Sequence, residues 1–223
     1  MDNTDVTVDV VAMIYGCRKL CRLRLNKTSV TSGGVSDFVT RNGIADLEEL
    51  SLGSTTTDDG VCRILPSLHQ LRIIDLFGTH VTDKTAHVIS ILRNVEVLSV
   101  SKSLITADGV GQFPRMPGLK KLYVSGIRTL SDIAMFSTMD SLEYLDVAYT
   151  SVDDRGVGAL PRFACLRSLV LDGCEISDES IPLFLETTHL VSLSLRETRM
   201  SRLGVAQMKS ERPAMKCWND WVP

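Results

Sequence analysis

Eight times along this chain an apolar pattern of the form Leu-x-x-Leu-x-Leu returns at a nearly fixed spacing. Leu20-x-x-Leu23-x-Leu25 is followed by Leu47-x-x-Leu50-x-Leu52, Leu71-x-x-Ile74-x-Leu76 and Val95-x-x-Leu98-x-Val100. Then come Leu119-x-x-Leu122-x-Val124, Leu142-x-x-Leu145-x-Val147, Leu166-x-x-Leu169-x-Leu171 and Leu190-x-x-Leu193-x-Leu195. The starts at 20, 47, 71, 95, 119, 142, 166 and 190 give steps of 27, 24, 24, 24, 23, 24 and 24. A fixed period in the 20s marks supersecondary units that cannot bury their apolar faces alone and must stack on one another. Such a stack grows by adding units, so the usual size limit of a single globular core does not apply.

Residues Leu142 to Cys165 illustrate one unit. Leu145 and Val147 alternate with Tyr144 and Asp146, the period-two signature of a half-buried strand. After a polar turn and Val152, Asp153 stands where a helix would begin, and Val157, Leu160 and Phe163 fall at helix-like spacing. The start position is Thr31, Asp58, Thr82, Thr106, Asp153, Ser177 or Ser201 in seven repeats, with Ser131 in the irregular fifth. All eight are residues whose side chains accept a bond from a free N–H of the first helical turn. Asp59, Asp83, Asp132, Asp154 and Asp178 follow directly, where a helix dipole favours negative charge. A second column, at the turn after each strand, reads Thr28, Thr55, Thr79, Ser103, Ile127, Thr150, Cys174 and Thr198. Hydroxyls facing turn backbone satisfy buried polar groups. Ile127 breaks the column and predicts a local irregularity, since the next step is 23.

These residues resemble a known family. The form L-x-x-L-x-L-x-x-T/C-x-V/I-T/S-D-x-G-V, carried best by Leu169–Ile181 and Leu50–Val61, is similar to the cysteine-containing subclass of leucine-rich repeats found in F-box adaptors. More distantly it is similar to the ribonuclease-inhibitor group. The resemblance covers about residues 17 to 210. It implies an α/β, right-handed solenoid with a parallel sheet on the concave face, helices on the convex face, and a protein bound along the sheet. No F-box segment is recognisable, and the 16 residues before Cys17 are too few for one.

The expected organisation is a single repeat domain over 1–223: a helical N-terminal cap at 1–19, eight repeats over 20–213 and a C-terminal cap at 214–223. The cap carries both tryptophans, Trp218 and Trp221, which read as a ninth short strand whose rings shield the last repeat, or as an aromatic docking tail. The net charge of −3 implies neither a nucleic-acid nor a membrane partner. The acidic stretch Met1–Asp5 lacks the basic residues of a secretory signal, and no run approaches the length of a membrane span, so an intracellular protein, cytoplasmic or nuclear, is expected. Cys17, Cys21, Cys62, Cys165, Cys174 and Cys217 form neither a zinc-binding spacing nor paired disulfide caps and read as reduced structural thiols.

In each strand the third and fifth pattern positions point away from the core. The third-position column runs Arg22, Glu49, Ile73, Val97, Lys121, Tyr144, Ser168, Ser192; the fifth runs Arg24, Ser51, Asp75, Ser99, Tyr123, Asp146, Val170, Ser194. Ile73, Val97, Tyr123, Tyr144 and Val170 form an apolar centre with Asp75, Lys121 and Asp146 interspersed, and Phe77 and Tyr149 extend it into the turns. Aromatic residues inside a polar rim are the composition of a protein-binding surface; cross-strand pairs that merely stabilise a sheet are the alternative. Arg22, Arg24 and Lys27 make a basic corner that Glu48 and Glu49 offset.

His69, His80, His87 and His189 stand at no nucleophile or metal spacing, no phosphate-binding glycine loop is present, and Asp58-Asp59 and Asp153-Asp154 are explained by capping. The expectation is therefore a non-catalytic adaptor or scaffold without cofactor or metal. It binds a protein through the sheet and exists as a monomer or as a subunit of a hetero-complex. The alternatives are a structural subunit of a larger intracellular assembly, or the substrate-recognition part of a ubiquitin-ligase-like complex.

Overall fold

The structure, a computed structural model, describes residues 19–219. The N-terminal cap and Cys17 expected from the sequence lie outside the described residues, as does Trp221. The chain divides into two compact units, one ending at Leu119 and the other beginning at Lys120.

In the first unit four three-residue strands follow one another: β1 (Arg22–Arg24), β2 (Glu49–Ser51), β3 (Ile73–Asp75) and β4 (Val97–Ser99). Each pairs in parallel with the next, in the register Leu23–Leu50–Ile74–Leu98. The second unit carries β5 (Lys121–Tyr123), β6 (Tyr144–Asp146), β7 (Ser168–Val170), β8 (Ser192–Ser194) and β9 (Lys216–Trp218), again parallel, in the register Leu122–Leu145–Leu169–Leu193–Cys217. Parallel neighbours need a crossover, and helical segments supply it. The fold is the expected α/β repeat solenoid.

The registers place the middle leucines on one side of each sheet, where Leu50, Ile74 and Leu98 in one unit and Leu122, Leu145 and Leu193 in the other are fully buried. The crossovers bury a second set of columns. Leu65, Ile89 and Phe113 fill one unit; Phe136, Leu160, Phe184 and Met208 fill the other. Thus each repeat closes a dry space between its strand and its crossover.

The crossovers are less helical than the sequence suggests. α1 (Ser32–Asn42), α2 (Asp83–Ser90), α3 (Ala107–Val110), α4 (Ile181–Glu186) and α5 (Arg202–Glu211) are α-helical. The second, fifth and sixth repeats cross over through 3₁₀ turns instead, among them Leu65–Ser67, Ala134–Thr138 and Leu160–Arg162. Val157, Leu160 and Phe163 are buried as expected, but their i, i+3 spacing suits the three residues per turn of a 3₁₀ helix. Pro66 and Pro161 stand at the start of their turns, where the missing N–H costs no hydrogen bond, and prevent one α-helix from running through from the residues before them.

The turn after each strand is built alike in every repeat. Lys27, Ser54, Gly78, Lys102, Gly126, Tyr149, Gly173 and Glu197 all adopt a left-handed φ between 53° and 78°. The next residue then folds back. Thr28, Thr55, Thr79, Ser103 and Thr150 donate their hydroxyls at 2.7 Å to the carbonyl three residues earlier, and Thr198 does so at 2.8 Å. Cys174 substitutes a thiol, 3.3 Å from the Val147 carbonyl, and burial pushes that thiol's pKa up. Ile127 keeps the backbone turn, Ile127 N to Val124 O at 3.4 Å, without the hydroxyl. The irregularity at this repeat therefore falls on its crossover, where only the short 3₁₀ helix Ala134–Thr138 remains.

The caps are formed by Thr31, Asp58, Thr82, Ser177 and Ser201, whose side chains accept from N–H groups of the first turn, and by Asp153, which accepts from Arg155 and Gly156. Two expectations are corrected. Thr106 gives its hydroxyl to Asp83 and makes no cap bond. In the fifth repeat Asp132, rather than Ser131, accepts from Ala134 N, because the turn starts one residue later.

The aspartates behind the caps do more than complement a dipole. Asp59 receives the Thr82 N–H at 2.8 Å, the Thr82 hydroxyl at 2.6 Å and the Thr85 hydroxyl at 2.7 Å. Asp83 holds Thr106, Asp154 holds Ser177 and Ser180, and Asp178 holds Ser201 in the same manner. Each carboxylate thereby ties its own repeat to the start of the following crossover. Burial works against the charge on Asp59 and Asp154, but these hydrogen bonds outweigh it and hold both carboxyls below the usual aspartate range. A carboxyl with a lowered native pKa stabilises the fold above its unfolded pKa and loses that contribution as pH falls through the native value. Asp154→Ala is expected to cost about 2–3 kcal/mol at neutral pH. Denaturant titrations at pH 7 and below about pH 4 check this, since the variant's deficit should shrink as wild-type Asp154 becomes protonated. A deficit independent of pH would contradict the role of the charge.

At the C-terminal end, Arg212 donates to the carbonyls of Phe184, Thr187, Thr188 and Leu190 at 2.6–2.9 Å, satisfying acceptors left by the end of α4. The ninth strand forms as expected, but its tryptophan does not shield the last repeat. Trp218 pairs in register with Ser194 on the outward column and is 51% exposed, while Cys217 takes the inward place beside Leu193.

Candidate protein-binding face

The parallel registers decide which outward side chains become neighbours. In the first unit Ile73 and Val97 lie side by side, both half-buried, and Asp75 lies beside Ser51 and Ser99. Asp75 turns its carboxylate to the Phe77 N–H at 3.0 Å, fixing the exit of β3. Phe77 is exposed, and the Lys102 ammonium lies 5.5 Å from its ring centroid. The basic corner is offset by pairing. The Arg24 guanidinium grips Glu49 through Nε and Nη2, at 2.5 and 2.9 Å, and holds the Glu49 carboxyl below the usual range. Arg72 pairs with Glu96 in the same way. These residues border an open hollow of about 330 Å³ whose opposite charges are already matched.

The second unit brings Lys121, Tyr123, Tyr144, Asp146, Tyr149 and Val170 together. Lys121 and Tyr144 are register partners, as are Tyr123, Asp146 and Val170. The Tyr123 and Tyr144 rings pack diagonally across the strands, centroids 4.8 Å apart and tilted by 37°. Tyr149 occupies a left-handed φ of 55°, rare for a bulky residue. Its ring lies on Gly173, where a Cβ would stand 2.4 Å from Tyr149 Cδ1, and its hydroxyl reaches Glu197 at 3.1 Å. Asp146 accepts from the Ala148 N–H at 2.9 Å.

This environment is negative. Burial pushes the Asp146 carboxyl above its usual range, and the charge of Asp172 adds to the shift. Burial, followed by the charge of Asp146, pushes the Tyr144 hydroxyl up to about 12. Tyr123 is raised for the same two reasons. A carboxylate with a raised native pKa destabilises the fold while it is ionised, and that penalty lifts as pH falls through the native value. Burial and the charge of Asp172 thus both act against the ionised form of Asp146.

Two contributors to this face, Asp172 and Arg196, were missed at the level of sequence. Asp172 lies beyond the fifth pattern position and receives the Ser194 hydroxyl at 2.6 Å and the Arg196 N–H at 2.9 Å. Arg196 places its guanidinium 5.9 Å from the Trp218 ring centroid, and Trp218 itself joins the outward column. The strand alternation continues two residues past each three-residue strand, and that continuation was the available signal for Asp172 and Arg196.

The described cysteines are free thiols, and among the described residues no three His, Cys, Asp or Glu side chains are grouped to hold a metal ion. No helix among the described residues is long and apolar enough to cross a membrane.

Comparison with known proteins agrees with this architecture. The family model described as Leucine Rich repeat matches residues 164–181, the stretch that spans β7 and its turn. No curated protein matches the sequence. A leucine-rich repeat protein of Leptospira interrogans superposes with a TM-score of 0.63 at 17% identity, covering 92% of this chain and 49% of that one. The plant peptide hormone receptor RGFR1, solved in complex with RGF2, gives a TM-score of 0.60 at 15% identity, covering 99% of this chain and 35% of that one. The chain therefore spans about half the length of the first protein and about a third of the second. At these identities the likeness speaks to the fold. The repeats, their registers and the shared architecture make this fold the leucine-rich repeat solenoid.

Proposed function

We propose that the chain is a non-catalytic binding module, an adaptor or scaffold, that holds a partner protein on the outward face of its parallel strands. The observation that carries this reading is the Tyr123–Tyr144 pair. Both rings stand on the outward columns, away from the leucine core, and Asp146 lies beside Tyr123 in register, where burial disfavours its charged form. Aromatic residues that desolvate a charge on a half-exposed surface have the make-up of a binding hot spot. Tyr149, Val170 and Lys121 extend this surface in the second unit, and Ile73, Asp75, Phe77 and Val97 are its counterpart in the first. The plant receptor of similar fold, solved with its peptide hormone, is an instance of the fold used for binding. The thiol of Cys174 within a column of hydroxyls supports the cysteine-containing subclass.

The double variant Tyr123→Ala, Tyr144→Ala tests the reading. Loss of one cross-strand aromatic pair should lower stability by about 1–2 kcal/mol and leave the fold intact by circular dichroism. Capture of the native partner from the source cell should fall at least tenfold. Undiminished capture by the folded variant would reject the face.

A further inference from the structure

Within that reading, the chemistry of the second unit's face selects a class of partner. Tyr123 and Tyr144 present ring faces, Val170 lies beside Asp146 in register, and Asp172 stands close enough to Asp146 for the two charges to repel. Among the described residues no cation forms an ion pair with Asp146 or with Asp172. The nearby Arg196 reaches Asp172 only through its backbone N–H, its guanidinium lying instead over Trp218. Two carboxylates are therefore left without a counter-charge, flanked by aromatic rings and an aliphatic side chain.

We infer that this face takes an arginine or lysine side chain from a basic segment of the partner protein, its charge against Asp146 and Asp172 and its aliphatic stem against Tyr123, Tyr144 and Val170. Tyrosine faces attract cations through their quadrupole, and the contact strengthens where water is excluded. Long basic side chains also lay their methylenes along apolar surface while the head stays polar. The acids then give orientation and on-rate, and the rings give affinity. In the first unit the acids Glu49 and Glu96 are paired internally, with Arg24 and Arg72, and Lys102 lies over Phe77. In the second unit the cation has to come from outside. The elevated carboxyl of Asp146 agrees with this, since an arriving cation would relieve it.

The inference rests on the outward face being the binding surface, and the test separates the two. The probe is a fluorescein-labelled decapeptide of alternating arginine and serine, compared with its glutamate–serine counterpart, on the full chain at two salt concentrations. The variants are Asp146→Asn with Asp172→Asn, and a control of equal charge change, Asp37→Asn with Asp140→Asn, both exposed acids outside the face. Asparagine retains an oxygen to accept the Ala148 N–H, so Asp146→Asn alone should fold and raise Tm by about 2 °C. The expected result is binding of the arginine peptide only, weakened at least tenfold by the double variant and less than twofold by the control. Equal weakening by both pairs would show general charge attraction and overturn the inference. So would full retention of peptide binding by the Asp146, Asp172 variant. If native partner capture still fails in the Tyr123, Tyr144 variant, the proposed function then stands without the basic partner. If capture survives there too, both fall.

Discussion

Replacing Phe136 with alanine is expected to lower the stability of the chain by about 3–5 kcal/mol, the range for deleting a fully buried aromatic ring. Phe136 is 0% exposed and belongs to the crossover column continued by Leu160 and Phe184. Its repeat has the fewest other supports. It lacks the turn hydroxyl, which Ile127 replaces, and its crossover is only the 3₁₀ helix Ala134–Thr138. In a stack of repeats, stability is close to a sum of unit and nearest-neighbour contributions, so a defect acts first on its own unit and those beside it. The expected loss should therefore be accompanied by faster amide hydrogen exchange around 127–139 than around α5, together with a broader denaturant transition. A loss below about 1 kcal/mol would mean that the repeats do not share one dry interior.

The second large effect is expected from a single added methyl. In Gly156→Ala the new Cβ would stand 2.2 Å from the Ser131 carbonyl oxygen and 3.2 Å from its carbon, both backbone atoms. Backbone cannot swing aside as a side-chain tip can, so the crossover must shift away from the preceding one. That shift strains the bond from Ile133 N to Gly156 O at 3.1 Å. Overpacking of this kind costs about 3 kcal/mol. Gly33→Ala supplies the contrast. Its Cβ would meet nothing nearer than the Thr31 Oγ1 at 3.8 Å, inside a helix, and the change should be neutral or stabilising by up to about 1 kcal/mol. Thermal melts of the two variants side by side decide the matter, and equal stability would refute the close approach at Gly156.

The same position explains the small residue of the recurring T/S-D-x-G-V motif. Gly109 and Gly204 would drive a Cβ into Asp83 and Asp178, the carboxylates that tie successive crossovers. Where the small residue is Thr85 or Ser180, its hydroxyl instead joins the preceding aspartate. The motif is thus one device: an acid reaching forward and a small residue that lets the next crossover come near.

Asp146 illustrates why the candidate surface was only half visible beforehand. Alternation along β5 and β6 was enough to place Tyr123, Tyr144 and Asp146 outward, because side-chain direction in a strand has a period of two. The contact between the two tyrosines and the repulsion from Asp172 depend on neighbours more than 20 residues away, and no local pattern carries them.

What the sequence by itself determined was everything that repeats: the parallel registers, the inward leucines, the hydroxyl column and most of the caps. These rest on strand alternation and on hydrogen bonds spanning two or three residues, which the order of residue types dictates. Tertiary structure alone decided that Asp59, Asp83, Asp154 and Asp178 clamp the following repeat rather than merely face a dipole. It also decided that several crossovers tighten into 3₁₀ turns, that Tyr149 is held at positive φ by Gly173 and Glu197, and that Trp218 faces outward. The physical reason is common to all four. Each depends on how closely one repeat approaches the next, a distance set by the packed volume of both and written in neither alone.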